Sequence, residues 1–321
     1  MTNMSNDNGR AFEYACIKEL EKSILIHRPV MLHSKSIEAS RRAWLAIAEK
    51  QQQKLILASK AFIKCLFGAE PLILEKESES DIVELLINKD SDAANGDVRD
   101  IIIKRREISW DIGLSLKHNH FAAKHSRLSA KIDFGNKWYG LPCCDTYWEQ
   151  ITPIFERLCD LKSKKCAWHD MKDKETSVYI PLLNAFMQEL ERAYNEDTKL
   201  PQRLISYLLG IKDFYKVVSI DRKQITEFQC FNLRGELNKH GKNHKATIVI
   251  PVSKLPDEII SIRLKPNSTN TVELYCNNGW SLSFRIHNAS TVVEPSLKFD
   301  IQFIGVPSNI ITINCQWSTF L

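Results

Sequence analysis

The sequence has no apolar run approaching the roughly 20 residues that a membrane-spanning helix requires. Its opening segment, Met1 to Arg10, is polar and lacks the apolar core of a secretory signal. Together these absences point to a cytoplasmic chain. No CxxC pair occurs among the nine cysteines, and an odd number scattered along a large chain reads as reduced thiols, not a disulfide framework. Cys143, Cys144, Cys159, Cys166 and His169 lie near one another, yet the adjacency of Cys143 and Cys144 suits a tetrahedral zinc site poorly. Internal repeats and low-complexity tracts are absent as well. Nor is there a large excess of one charge. The 44 basic residues against 39 acidic ones give a net charge of +5, which permits nucleic-acid binding without demonstrating it.

With 321 residues, the chain can bury one large core or two modest ones. Its first two thirds carry helical patterning: about Asp7 to Ser23, Ser36 to Leu66, Asp81 to Ile87, Tyr147 to Leu161, Ile180 to Tyr194 and Gln202 to Leu209. Asp90 to Gly96 has loop composition. One strand-rich island interrupts the helices, with Val98–Lys104 and Ile108–Leu116 joined through Arg105 and Arg106 as an antiparallel hairpin. From Phe214 onward short strands separated by Pro, Asn, Gly and Ser dominate, including Phe214–Ile220, Ile225–Phe231 and Ala246–Ile250. The pattern predicts a mixed α+β or α/β protein, with one part over residues 1–235 and a β-rich part over 236–321 suited to DNA recognition.

The hairpin holds the chemistry. Side chains alternate between the faces of a strand, so Asp111, Gly113, Ser115 and Lys117 share one side. Asp97 and Asp100 open the partner strand. A two-residue turn pairs Asp100 with Asp111, and a three-residue turn pairs Asp97 with Ser115. Carboxylates bind a hard cation through oxygen, and a lysine beside them steadies charge or helps activate water. Isolated aspartates and lysines are mostly solvated surface residues, so local pattern alone favours that plainer reading.

The segment Asp100-Ile-Ile-Ile followed by Gly113-Leu114-Ser115-Leu116-Lys117 resembles the PD-(D/E)XK nuclease core, where one strand presents an aspartate and the next an acid-x-lysine triplet. Gly9-Arg10-Ala11-Phe12-Glu13 resembles that superfamily's first helix, whose glutamate often completes the metal site. More narrowly, residues 5–13, Asp97-Val98-Arg99-Asp100-Ile101 and the run from Trp110 to Ser129 resemble the HaeIII-type restriction endonucleases. The likeness spans most of the first 230 residues and weakens in the β-rich tail. It implies a restriction-endonuclease-like mixed sheet flanked by helices. In one respect the sequence departs from the pattern: Ser115 stands where the superfamily usually has a carboxylate. A serine hydroxyl is a poor Mg²⁺ ligand, so Glu13 or Asp111 must supply the missing charge.

Between Lys117 and Lys131 positive charge is concentrated, with Lys117, His118, His120, Lys124, His125, Arg127 and Lys131 and no acid before Lys131. Together with Asn119 and Ser126, these side chains suit phosphate contact and base reading in a groove. A helical reading would put Lys117, His120 and Lys124 on one face. The alternative is a merely solvated basic surface. The triplet His118-Asn119-His120 spells the name of the HNH nucleases, but three consecutive residues cannot spread over that class's metal fold. A second basic stretch, Arg234 to Lys245, serves equally as a DNA-contacting loop or a linker.

The resemblance implies a type II restriction endonuclease that hydrolyses double-stranded DNA with Mg²⁺. It implies Asp100 with Glu13 or Asp111 as metal ligands, and Asp100, Lys117, Asp111 and Ser115 as the catalytic group. It further implies the site GGCC and a cognate DNA methyltransferase as genetic companion. A palindrome favours a two-fold symmetric homodimer, with sequential cutting by a monomer as the alternative. The rival reading, kept alive by Ser115, is a catalytically silent DNA-binding protein that retains the nuclease fold. A purely structural α/β protein would lack salt-sensitive DNA affinity.

Overall fold

A computed structural model describes residues 4–88 and 96–318, except the side chains of residues 4–6 and of His125. Of the loop expected over Asp90 to Gly96, residues 90–95 lie outside the described residues, and Gly96 is a turn residue with φ 89°. The helices are α1 (Met4–Leu25), α2 (Ser34–Ala46), α3 (Glu49–Ala69), α4 (Phe134–Tyr139), α5 (Asp145–Ser163), α6 (Ile180–Glu196) and α7 (Leu200–Leu209). The strands are β1 (Val30–Leu32), β2 (Val83–Ile87), β3 (Ile101–Arg105), β4 (Trp110–His118), β5 (Ala122–Leu128) and β6 (Phe214–Ile220), then β7 (Ile225–Phe231), β8 (Ile259–Leu264), β9 (Thr271–Cys276), β10 (Ser281–His287), β11 (Leu297–Gly305) and β12 (Thr312–Gln316). The result is an α+β protein. No helix among the described residues is long and apolar enough to cross a membrane.

Two compact units emerge, both discontinuous in sequence: residues 1–121, 210–253 and 308–321 form one, and 122–209 with 254–307 the other. The sequence had suggested a single division at residue 235, but strand pairing interleaves the chain instead. In the first unit a mixed seven-stranded sheet runs in the order β1-β2-β3-β4-β6-β7-β12, with β1–β2 and β4–β6 parallel. The fully buried residues Ile101, Ile103, Ile112 and Leu114 in β3 and β4 pack into the core beneath Phe12, Leu20 and Phe62 from α1 and α3. In the second unit β5-β11-β10-β9-β8 form an antiparallel sheet. An aromatic cluster sits beside it, with Phe186 5.1 Å from both Phe134 and Phe284 and 5.0 Å from Phe299.

Several expectations are corrected. The helix expected over Ser36–Leu66 is two helices, because Ile47 and Ala48 adopt extended backbone between them. Val83–Ile87 is a buried strand and not a helix; its β-branched and aliphatic run pairs with β3. Ahead of it, Asp81 forms buried ion pairs with Arg28 and Arg105. The segment 122–128 is a strand, so the proposed helical face of Lys117, His120 and Lys124 does not exist. Ala246–Ile250 has no strand pairing. The turn between β3 and β4 spans four residues, pairing Lys104 with Asp111 and Ile101 with Leu114; neither expected register occurs.

Candidate active site

Continuing the β3–β4 register by one residue sets Asp100 level with Ser115. Asp100 lies just before β3, and its backbone N–H donates to the Leu114 carbonyl at 2.7 Å. Its Oδ2 accepts from the Leu116 backbone N–H at 2.5 Å and lies 3.3 Å from Lys117 Nζ. Ser115 Oγ is 3.5 Å from the same oxygen. The Lys117 ammonium also donates to the Leu116 carbonyl at 3.0 Å and sits 3.4 Å from Ser115 Oγ. Hairpin pairing alone therefore gathers an aspartate, a serine and a lysine at one strand end. The side chains of Asp100 and Lys117 are each 28 % exposed, reachable by a ligand yet partly shielded from solvent.

Glu13 joins them from α1, which packs against β4. Its Oε2 accepts from Ser40 Oγ of α2 at 2.7 Å. Burial and the neighbouring Asp100 carboxylate push Glu13 up to about 7, against the opposing pull of the Ser40 hydrogen bond, Lys117 and Arg10. Two neighbouring carboxylates repel when both are ionised, and that repulsion adds to burial in favouring the protonated form of Glu13. A cleft of about 290 Å³ opens on them, lined by Glu13, Ser40, Asp97, Arg99 and Asp100 among others.

Asp111, expected as a catalytic and metal residue, is paired with Arg99. Its Oδ2 receives Arg99 Nη1 at 2.5 Å, while Arg99 Nε and Nη2 reach the two Asp97 oxygens at 2.8 Å each. The arginine, only 7 % exposed, is thus clamped between two acids. Its stem crosses Gly113, where an added Cβ would lie 2.2 Å from Arg99 Cδ, so this strand position must be glycine. Four strand residues at roughly 3.3 Å each put Asp111 about 13 Å from Ser115 along β4. Asp97 and Asp111 hold Arg99, while Glu13 and Asp100 stand together beside Lys117. No group of three or more His, Cys, Asp or Glu side chains among the described residues is arranged to bind a metal; the oxygens near Lys117 are those of Asp100 and the Leu116 carbonyl, with Glu13 close to Asp100.

The basic segment divides. His118 turns inward, its Nδ1 2.8 Å from Ser219 Oγ and its Nε2 3.3 Å from Gln51 Nε2, and burial lowers its pKa. Asn119 adopts the left-handed region at φ 52° and accepts from the Asp221 backbone N–H at 2.9 Å. His120 is half-buried. In the second unit, Lys124 lies 3.7 Å from the Tyr207 ring centroid and donates to the Tyr207 carbonyl; burial lowers its pKa to about 8. Ser126 is buried, Arg127 is exposed and donates to the Ser296 carbonyl, and the His125 side chain lies outside the described residues. Ser40 and the Arg99 clamp escaped the sequence reading. A serine inside an amphipathic helix carries no signal of what it will face, although the glycine amid β-branched neighbours at Gly113 hinted at a close approach.

A family model of the HaeIII restriction endonucleases matches residues 9–307. The chain is 47 % identical over 319 residues to the type II restriction enzyme HaeIII of Haemophilus aegyptius, covering 99 % of each protein. No solved structure matches.

Proposed function

This chain belongs to the HaeIII restriction endonuclease family, and from that premise we propose that it cuts both strands of DNA at GGCC with Mg²⁺ at the Glu13–Asp100–Lys117 site. Its activity as a type II site-specific deoxyribonuclease follows from the family; the metal, the recognition sequence and the residue roles are the further steps. The convergence of Glu13 and Asp100 beside Lys117 carries this reading.

A hard divalent cation fits the donors present, which are two carboxylates and a backbone carbonyl, all oxygen. Glu13 and Asp100 would hold it with the Leu116 carbonyl. When bound, magnesium supplies Lewis-acid stabilisation of charge on the scissile phosphate and acidifies water. Lys117 contributes a fixed positive charge toward the same phosphate, at a strand end where it is already ordered by Asp100 and Leu116. Glu13 takes over the charge that Ser115 lacks, while Ser40 fixes the Glu13 carboxylate in orientation. This arrangement supports assigning the first unit to the PD-(D/E)XK fold. The exposed Arg127, together with Asn119 and His120, supplies candidate contacts to phosphate and base edges. GGCC is palindromic, so the reading includes a homodimer on DNA and a methyltransferase encoded as companion, protecting the host's own sites.

The test is to incubate the purified protein with unmethylated phage DNA, with and without Mg²⁺, and to map the fragment ends. Metal-dependent blunt ends within GGCC are expected. Intact but gel-shifted DNA would favour a silent binder, and discrete ends elsewhere would keep the chemistry while rejecting the specificity.

A further inference from the structure

We propose that Lys216 is a further DNA-contacting residue of this site, its ammonium taking an oxygen of the scissile phosphodiester beside Lys117. The proposal rests on the reading that the Asp100–Lys117 cluster cuts DNA. Strand β6 runs parallel to β4 with Lys216 opposite Ser115. Residues opposite one another in a ladder project from the same face, and alternate residues of one strand share that face. Lys216 therefore stands on the side of the sheet that carries Ser115 and Lys117.

Its environment is unusual for a lysine. The residue is only 7 % exposed. One donor of its ammonium goes to the Phe121 carbonyl at 3.1 Å, and no carboxylate among the described residues lies within ion-pairing distance. The charges that act on it are Lys117, which is like in sign, and Glu227 of β7, which is opposite. Burial and Lys117 pull its pKa down to about 8, so it stays mostly protonated at neutral pH. A lysine is seldom buried unless paired, and a desolvated cation without a counter-charge works against folding. Such a group is expected where the counter-charge arrives with the substrate. A phosphodiester has two non-bridging oxygens, and two ammonium groups on one face can each donate to one of them. The plainer role, in which Lys216 only anchors the Phe121 carbonyl, predicts loss of stability on its removal.

The test is Lys216→Met in the full chain, which keeps the aliphatic stem and removes the charge. The expected result is a thermal midpoint equal to or above that of the unaltered protein. Cleavage falls about 100-fold, as when one preorganised donor to a reacting oxyanion is lost. The slope of log affinity against log salt, measured without metal, becomes shallower by about 0.9, the signature of one lost phosphate contact. Unchanged cleavage or an unchanged salt slope overturns the proposal. So does a lowered thermal midpoint, which would assign Lys216 to holding Phe121. Two controls isolate the underlying reading: the unaltered protein must cut, and Lys117→Ala must not. Failure of either removes the parent assignment, whereas failure of Lys216→Met alone removes only this inference.

Discussion

Replacing Ser115 with aspartate restores the acid that the related nuclease pattern carries, and the structure says what this must cost. Ser115 Oγ lies 3.5 Å from an Asp100 oxygen and 3.4 Å from Lys117 Nζ. Unit charges about 4 Å apart interact by roughly 4 kcal/mol at an effective dielectric near 20. Repulsion by Asp100 and attraction by Lys117 therefore nearly cancel. What remains is the desolvation of a carboxylate at a position only 6 % exposed, together with the proximity of Glu13. About 2 kcal/mol of net destabilisation is the expected scale, since a partly compensated buried ion costs less than the several kcal/mol of an isolated one. For a folding unit of this size that lowers the thermal midpoint by roughly 4–8 °C in EDTA. With magnesium in the proposed site the sign reverses, because a third carboxylate then faces a cation. At about a hundredfold excess over its dissociation constant the ion adds about 2.7 kcal/mol. The assay is differential scanning fluorimetry of Ser115→Asp and the unaltered protein, each in EDTA and in magnesium. A variant as stable as its parent in EDTA, with no larger gain from magnesium, would refute the claim that the cluster is a cation site short of one ligand.

Two substitutions separate the candidate ligands: Glu13→Gln should reduce cleavage by more than about 100-fold, beyond the loss expected for an outer-shell partner. Asp111→Asn should keep cleavage and lose only about 1–2 kcal/mol of stability, because Arg99 retains Asp97. Equal loss of cleavage in both would return Asp111 to the metal site. Elsewhere in the first unit, buried Glu70 accepts from Tyr215 Oη at 2.6 Å and from the Asn238 backbone N–H at 2.5 Å, and burial raises it to about 7. Its folded-state value is raised, so its stabilising contribution is complete below about pH 4.5 and lost as pH rises through about 7. Full ionisation costs about 3 kcal/mol. Glu70→Gln should therefore flatten the decline in urea-unfolding stability between pH 5 and 8, and an unchanged pH profile would contradict this.

Part of the cluster's placement was legible in the chain itself. That Asp100 opens one strand and Lys117 ends the next could be read because their β-branched runs declare themselves locally and the strand period assigns their faces. β6 and β7 were readable over their full lengths for the same reason. Which acid replaces the one missing at Ser115 was not readable, since Glu13 and Asp111 were equally plausible in one dimension. Packing distinguishes the two: α1 lies on β4 and brings Glu13 near Asp100, while the Arg99 side chain across Gly113 pairs with Asp111. The hairpin register escaped too, because it depends on a four-residue turn that no Gly or Asn-Gly signal marked. β5 was missed because its ladder partner is β11, with Leu128 opposite Leu297. A strand's identity is completed by a neighbour far away in sequence, and that same long-range pairing divides the chain into interleaved units. Local propensity and residue chemistry determined the strands that carry Asp100 and Lys117; contacts between distant segments decided that Glu13 and Ser40 stand beside them, because side chains far apart in sequence meet only through packing.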